Sequence, residues 1–290
     1  GKPTWTERNE SIAVRDGSTI KVRLYIPIDI PSDGAPVGVV NHGGGWFMGD
    51  LDSEAFLCRL FCFKFGMIMV NVDYRLYPDV QFPVPITDCY DAIKWTAVTA
   101  PSFGGNPHKG FITVGSSGGG TFSSIATHLA RNANLSPPLT GCLLICPILT
   151  DEVISSSGTP VHRFGSRVRS PDQNADAPLM TRAMQESIKK LAEYDWPSPL
   201  LTPFNFKEHK GVCRTYIQVC GLDPWRDTGI VYGEVLREEG VEVRLDAYPG
   251  LPHIWWTTFS GLKVNETWVR NVLEGMEWLL ERGESRGWRL

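Results

Sequence analysis

Two adjacent serines lie in a glycine cluster, VGSSGGGTF over residues 114–122, directly after an apolar run. A nucleophile on a sharp strand-to-helix turn needs small residues two places before and two places after it. Ser117 has Gly115 and Gly119 at those places, whereas Ser116 has the branched Val114 two places before it. The pattern therefore favours Ser117 as a nucleophile. The alternative is a glycine-rich turn that binds a phosphate.

A second glycine-rich segment, NHGGGWFMGD over residues 41–50, follows another apolar run. Three consecutive glycines allow the backbone to approach a substrate carbonyl closely, so that amide N–H groups can stabilise an oxyanion. A flexible turn is the simpler interpretation of this segment alone. The glycine loop and the serine motif together, each after its own strand, favour acyl transfer chemistry.

The elements that must position these loops alternate between strand and helix. Most of the apolar runs are nearly continuous, as in strands that are covered on both faces. Helical patterns follow the fourth, fifth and seventh runs, and another closes the chain. This order predicts a mostly parallel, doubly wound α/β sheet of eight strands, with helices on both faces and an antiparallel hairpin from the first two runs. The runs cover residues 12–14, 19–27, 36–42, 67–74, 110–116, 142–148, 215–221 and 241–249.

About sixty residues between the sixth and seventh runs interrupt this alternation. They contain Ser/Pro/Gly-rich turns and one amphipathic helix with Met184, Ile188 and Leu191 on one face. An insertion at the C-terminal edge of a parallel sheet lies over the active-site edge. We therefore expect a core of residues 1–148 and 211–290, and a helical cap of residues 149–210.

The amino-acid composition indicates which kinds of molecule the chain is expected to bind. The chain has 290 residues, a net charge of -4 and 42% hydrophobic residues, which fits a large core and a small uncharged substrate rather than nucleic acid. The seven cysteines are expected to be buried thiols, and no metal or cofactor is expected. No apolar stretch has the length of a signal peptide or membrane span, which predicts a cytoplasmic protein. The oligomeric state is not determined by these features, and a homodimer is one alternative.

Six segments together resemble the hormone-sensitive-lipase family of α/β-hydrolase esterases, and fungal carboxylesterase-like members look most similar. They occur in the order that is usual for the family, over about residues 11–256. The segments are RDGSTIKVRLYIP, NHGGGWFMGD, VDYRLYPDVQFPVPITDCYDAIKW, GSSGGG, GLDPWRDTG and YPGLPH.

The resemblance implies a catalytic triad and an oxyanion hole. Ser117 would be the nucleophile, His253 the base and Asp223 the acid that orients it. The amides of Gly44, Gly45 and Gly118 would bind the oxyanion. The positions agree with the predicted sheet, because Asp223 and His253 follow its last two strands and the chain order is Ser, Asp, His.

Several other residues compete for roles or are assigned to a pocket. Asp227 is the main alternative to Asp223, although a helix-start acid that complements the dipole explains it as well. The other histidines, at positions 42, 108, 128, 162 and 209, are expected to be structural or on the surface. The candidate substrate-pocket residues are Trp46, Met184, Ile188, Trp255 and Trp256, and the core is the alternative for the tryptophans.

Two residues beside the nucleophile depart from the family pattern. Ser116 stands where Asp is usual, which removes a carboxylate from beside the turn, and Gly118 stands where Ala is usual. Neither change removes a catalytic group. We expect them to affect rate and substrate preference more than reaction type.

The leading hypothesis is a serine carboxylesterase that hydrolyses an uncharged ester through an acyl-enzyme. A non-catalytic small-molecule receptor could share the fold but would lack the base, which is present here as His253. An acyltransferase, an amide hydrolase or a biosynthetic hydrolase would need the same triad and oxyanion hole. The sequence does not separate these last alternatives from the esterase.

Overall fold

An eight-stranded sheet positions the loops that carry the candidate site. The computed structural model describes residues 4–149, 167–191 and 198–280, apart from the side chains of residues 188–191. The sheet order is β1-β2-β4-β3-β5-β6-β7-β8. The strands are β1 (Trp5–Ala13), β2 (Thr19–Pro27), β3 (Val37–Asn41), β4 (Ile68–Asp73), β5 (Phe111–Ser116), β6 (Gly141–Ile145), β7 (Arg214–Leu222) and β8 (Val243–Pro252).

Strand direction matches the prediction. β1 pairs with β2, and β2 with β4, in antiparallel register, while every pair from β4 to β8 is parallel. All residues of β3, β5 and β6 are buried, which explains why these strands appear in the sequence as continuous apolar runs. The predicted α/β sheet with an antiparallel edge pair is confirmed.

Helices cover both faces of the sheet. Alternate residues of β3 show the two sides, since Val39 packs in one hydrophobic cluster with α2 and α3, and Val40 in another with α1 and α7. The helices are α1 (Ala55–Phe65), α2 (Val84–Thr99), α3 (Gly118–Asn132), α4 (Ser170–Gln173), α5 (Arg182–Leu191), α6 (Arg226–Glu238) and α7 (Val264–Leu280). Short 3₁₀ turns cover Ala100–Phe103, Pro107–Lys109, Pro203–Asn205 and Trp255–Thr257.

The expected cap lies only partly within the described residues. Within residues 167–191 the chain forms α4 and α5, and it resumes at residue 198 before β7. Among the described helices, none combines the length and the apolar character that crossing a bilayer requires. The expected cysteine environment is confirmed for six thiols, which are buried, and Cys213 is partly exposed.

Candidate active site

A strained turn between β5 and α3 carries the candidate nucleophile. Ser117 has φ 53° and ψ -120°, a backbone conformation that is rare for a residue with a side chain. Its N–H donates to the Ile145 carbonyl of β6 at 2.8 Å. The turn is so tight that a Cβ atom on Gly115 would lie 2.1 Å from the Gly119 carbonyl oxygen. A Cβ atom on Gly119 would lie 2.0 Å from the Asn41 carbonyl oxygen of β3, so glycine is required at both places around Ser117.

His253 and Asp223 reach Ser117 from the ends of the last two strands. His253 Nε2 lies 2.8 Å from Ser117 Oγ, and His253 Nδ1 lies 2.6 Å from Asp223 Oδ2. An ionised carboxylate only accepts, so Nδ1 carries the proton and Nε2 accepts from the Ser117 hydroxyl. All three side chains are buried. The structure therefore brings together Ser117, His253 and Asp223, the three residues that the resemblance implied as a catalytic triad.

Backbone and aromatic contacts fix the Asp223–His253 pair. Asp223 Oδ1 accepts from the Trp225 N–H at 2.8 Å, so both carboxylate oxygens are engaged. The Trp225 ring packs edge-on against His253, with ring centroids 5.4 Å apart. Trp225 was not among the predicted site residues, although it lies only two residues after Asp223.

Asp227, the alternative acid, has a structural role. Its carboxylate accepts from the Arg169 and Ser170 amides at 2.7 and 2.8 Å and from the Arg226 side chain at 2.7 Å. Burial alone would raise the pKa of Asp227, but Arg226 and the two amides outweigh it and lower the pKa. Asp227 thus anchors the segment before α4 to the start of α6.

The glycine loop after β3 lies against the serine turn. A Cβ atom on Gly43 would be 3.3 Å from Ser117 Cβ, so the two segments are in close contact. Gly44 and Gly45 both have positive φ, at 120° and 59°. The Trp46 indole N–H donates to the Gly118 carbonyl at 3.0 Å and links the loop to the first residue of α3.

Comparison with known proteins identifies the family of the chain. A sequence model of a protein family with the α/β-hydrolase fold matches residues 39–257 of the chain. The chain belongs to the α/β-hydrolase fold family. The resemblance to hormone-sensitive-lipase-type esterases is thereby confirmed.

Named relatives of this α/β-hydrolase cover most of its length. It is 33% identical over 287 residues to the versiconal hemiacetal acetate esterase of Dothistroma septosporum, covering 97% of this chain and 85% of the relative. It is 32% identical over 246 residues to carboxylesterase NlhH of Mycobacterium tuberculosis, covering 82% and 72%. Among solved structures, vibralactone cyclase superposes with a TM-score of 0.89 at 32% identity, covering 97% and 81%.

His42 orders the glycine loop of this α/β-hydrolase. Its ring stacks on Tyr74 with centroids 4.1 Å apart, and its Nδ1 lies 2.7 Å from the Gly43 carbonyl. The Tyr74 hydroxyl donates to the His42 carbonyl at 2.8 Å. Burial lowers the pKa of His42, so the ring is neutral and Nδ1 donates to Gly43. These contacts agree with the expected structural role of His42.

Three other histidines have described surroundings away from the triad. Within the described chain, His128 Nε2 and His209 Nδ1 lie 2.9 Å apart, and Phe206 stacks on the His128 ring. Burial lowers the pKa of His128 to about 3. His108 is exposed in a 3₁₀ turn, and His162 lies outside the described residues.

The three tryptophans predicted to line a pocket have different surroundings. Trp46 is buried, and its indole contacts Gly118 beside the nucleophile. Trp255 is buried against Tyr248, and the partly exposed Trp256 stacks on Trp268 of α7. Trp255 and Trp256 pack in the hydrophobic cluster that includes α7, which favours the core, the alternative for these residues.

The expected apolar face of α5 also differs from the structure. Met184 is 45% exposed, whereas the neighbouring Gln185 is buried. Gln185 thus takes an inward position in α5. The Ile188 side chain lies outside the described residues.

One described cluster has the composition of a metal site. The Cys146 and Cys220 thiols and the Asp223 carboxylate lie within 4.8 Å of one another. The two sulfur atoms are 2.9 Å apart and contact each other, and Asp223 already accepts from His253 and Trp225. These contacts account for the cluster without an ion.

Proposed function

We propose that this chain is a serine carboxylesterase that hydrolyses an uncharged carboxylic ester through an acyl-enzyme. The observation that carries the proposal is the line of hydrogen bonds from Ser117 through His253 to Asp223, at 2.8 and 2.6 Å, at the C-terminal edge of the sheet. The membership of the family and the esterase names of its relatives support a carboxylic ester hydrolase.

The geometry favours a two-step mechanism. Ser117 Oγ attacks the ester carbonyl while His253 Nε2 takes the hydroxyl proton, and Asp223 stabilises the resulting imidazolium. His253 then gives this proton to the departing alcohol, and the serine holds the acyl group. A water molecule, activated by the same imidazole, attacks the acyl-enzyme and releases the acid. Throughout, the amides of Gly44, Gly45 and Gly118 bind the negative oxygen.

An uncharged substrate fits the surroundings of the triad. The indole of the buried Trp46 donates to the Gly118 carbonyl beside the nucleophile, and the buried Trp225 ring packs against His253. A charged substrate would lose hydration against such a surface without gaining a partner. We therefore infer a neutral ester with an apolar acyl or alcohol group.

The interpretation of residues 149–210 as a cap is supported by contacts of its described part. Asn174 Nδ2 donates to the Asp223 carbonyl at 2.9 Å, and Ser170 Oγ donates to the Pro224 carbonyl at 2.7 Å. The segment thus packs on the loop that carries the acid. We propose that it covers the edge of the core formed by residues 1–148 and 211–290.

Chromogenic esters of increasing acyl length, with water as the only acceptor, test the proposal. We expect turnover by the wild type, and covalent labelling of Ser117 by an aromatic phosphonate, mapped by mass spectrometry. Ser117→Ala should abolish both. A wild type that hydrolyses none of the esters and takes no label would contradict the proposal.

A second candidate is acyl transfer to an alcohol. The solved relative at 32% identity is named a cyclase rather than a hydrolase. An acyl-enzyme can react with any hydroxyl that reaches it, so the same residues support either outcome. Added primary alcohols separate the two candidates: ester products that exceed the acid product at millimolar alcohol would favour transfer.

A further inference from the structure

Two thiols lie in contact beside the catalytic acid. Cys146 Sγ and Cys220 Sγ are 2.9 Å apart, and a carboxylate oxygen of Asp223 lies within 4.8 Å of both. The two cysteines are buried, and neither has a role in the proposed mechanism. All seven cysteines lie in the described part of the chain, and no other two of them make such a contact there.

The segment that carries Cys146 is bonded to the nucleophile turn. The Ser117 N–H donates to the Ile145 carbonyl at 2.8 Å, and the Ile148 N–H donates to the Ser117 carbonyl at 3.3 Å. Cys146 lies between these contacts, and its own N–H donates to the Gln218 carbonyl of β7 at 2.8 Å. Its φ of 47° is a left-handed conformation that few residues with a side chain adopt, and that persists only where the surroundings hold it.

Cys220 lies on the strand that leads to the acid. The Asp223 N–H donates to the Cys220 carbonyl at 3.2 Å, so the two residues are joined through the backbone. The Asp223 carboxylate in turn lies 2.6 Å from His253 Nδ1. A displacement of Cys220 therefore reaches the acid, and through it the orientation of the base.

We propose that Cys146 and Cys220 are a disulfide site, and that the bond ties the nucleophile segment to the acid strand and lowers turnover. A disulfide has an S–S distance of about 2.05 Å, so the two sulfur atoms have to approach by about 0.9 Å. Both backbones are hydrogen-bonded, and part of this movement falls on the contact between Cys220 and Asp223. The effect on turnover rests on the proposed function, whereas the bond itself does not.

The oxidant is a low-molecular-weight disulfide, and oxidised glutathione is the probe. One cysteine thiolate attacks a sulfur of the probe, which forms a mixed disulfide and releases one glutathione thiolate. The second cysteine thiolate attacks the protein sulfur of the mixed disulfide, which forms the bond between Cys146 and Cys220 and releases the second glutathione thiolate. Two protein thiols are oxidised, one glutathione disulfide is reduced, and the two protons pass to the departing thiolates.

Burial determines when this exchange takes place. Burial, the neighbouring Cys146 and the charge of Asp223 all raise the pKa of Cys220 well above its usual value, so the folded chain holds an unreactive thiol. We therefore expect the bond to form while the chain folds, before the sheet excludes the oxidant. Refolding from urea with oxidised glutathione should give the bond faster than incubation of the folded protein with it.

Two refolded samples of the wild type test the site, one refolded with oxidised glutathione and one with dithiothreitol. Digestion without reductant and mass spectrometry should show the peptides of Cys146 and Cys220 joined in the first sample. We expect kcat for a short chromogenic ester to be on the order of tenfold lower in this sample, with KM little changed, because a small displacement at a catalytic group slows the chemical step. Refolding of the oxidised sample in dithiothreitol should restore kcat.

Thermal unfolding provides a second readout. The bond closes a loop that contains the whole segment between β6 and β7, including α4 and α5. A cross-link over such a long loop constrains the unfolded chain, so the oxidised sample should melt about 5–10 °C higher than the reduced one. Lower turnover with a higher Tm distinguishes a displaced acid from a damaged fold. A loss of both would contradict the proposal.

Three variants locate the effect. Cys146→Ala and Cys220→Ala should each abolish the bond and give the same kcat under both refolding conditions. Cys213→Ser is the matched control, because Cys213 is partly exposed and directly precedes β7, and it should keep both the bond and the difference in kcat. The two wild-type samples decide the proposal even where an alanine variant fails to fold, since they need no substitution.

The outcomes separate this inference from the proposed function. Free thiols at Cys146 and Cys220 after oxidative refolding, or a bond from either of them to another cysteine, would overturn the site. A mapped bond with an unchanged kcat would overturn its effect on turnover. A reduced wild type that hydrolyses no ester contradicts the proposed function, whereas a mapped bond with a higher Tm still supports the disulfide site.

Discussion

The sheet edge that carries the triad and the segment that lies next to it are built in different ways. At the edge, Ser117, Asp223 and His253 are buried and hydrogen-bonded to one another. In the neighbouring segment, α5 has an exposed Met184, and its contacts with the core come from the region of α4 instead. The three side chains are thus fixed at strand ends, whereas the described contacts of the neighbouring segment with the acid loop come from Ser170 and Asn174.

This difference indicates where substitutions should have large effects. Groups at strand ends are held by the sheet and have one position, whereas an insertion that is attached at a few points can change without loss of the core. Substitutions at the edge should abolish turnover. Substitutions in α5 should have little effect on turnover. Substitutions of the α4 residues that contact the core should have an intermediate effect.

The largest effect is expected at the nucleophile. Ser117→Ala should lower kcat on the order of 10⁴-fold or more, because no other group can form the acyl-enzyme. Ser116→Ala should keep most of the activity at neutral pH, since its hydroxyl does not contact His253. Steady-state hydrolysis of a short chromogenic ester measures both. Equal losses would show that the assignment of the nucleophile is wrong.

The two aspartates of the GLDPWRD segment provide the next comparison. Asp223→Asn should lower kcat by about 10⁴-fold with the fold intact, because the amide favours the wrong tautomer of His253. Asp227→Asn should leave turnover almost unchanged. It should instead lower the stability by about 1–3 kcal/mol, because the Arg169 and Ser170 amides lose their charged acceptor. Kinetics and thermal unfolding of both variants test the pair, and the reverse ranking would reassign the acid.

The sequence predicted the parallel strands well and the edge strand poorly. β5 starts and ends within one residue of the predicted run, because all its residues are buried and none is charged. β1 begins at Trp5, although only the run from residue 12 indicated it. Most of its residues are exposed at the edge of the sheet, so they carry no apolar pattern.

Local spacing could identify the members of the site but not their distant neighbours. The glycines around Ser117 lie close in the chain, and their steric reason was evident from the sequence. Tyr74 stacks on His42 and donates to its carbonyl from about thirty residues later in the chain, and no pattern links the two. The apolar character of Trp255 and Trp256 fitted a pocket as well as a core, and only the packing on α7 distinguished them.

At Gly118, the Trp46 indole occupies the space of the missing side chain. A Cβ atom at this position would lie 2.6 Å from Trp46 Nε1 and 2.8 Å from Trp46 Cδ1, so the indole stands where the methyl group of the usual Ala would be. Gly118→Ala should displace the indole, break its bond to the Gly118 carbonyl and lower kcat about 10- to 100-fold. Kinetics at saturating ester measures this loss.

Trp46→Phe, alone and combined with Gly118→Ala, completes a double-mutant cycle. The smaller ring leaves room for a methyl group, so Gly118→Ala should be less harmful in the Trp46→Phe background. We expect a coupling of about 0.5–3 kcal/mol, as found for side chains in contact. Additive losses would mean that the two positions act independently.

A smaller effect is expected where the insertion touches the acid loop. Asn174 Nδ2 donates to the Asp223 carbonyl at 2.9 Å, and the residue is buried. Asn174→Ala removes a hydrogen bond that contributes about 1 kcal/mol, so kcat/KM should fall severalfold rather than by orders of magnitude. A variant with wild-type kinetics would separate the insertion from the triad.

The smallest effect is expected for Met184→Ala in α5. The side chain is 45% exposed, so its loss removes little buried area, and the free energy of unfolding should change by no more than about 0.5 kcal/mol. The ratio of kcat/KM between short and long acyl esters should also stay the same, because the exposed side of α5 is not expected to contact the acyl chain. A methylene that lines an apolar pocket contributes about 1–3 kcal/mol of discrimination. A shift of that size in Met184→Ala would therefore place this face of α5 over the substrate, and it would remove the contrast between the buried edge and its surface insertion.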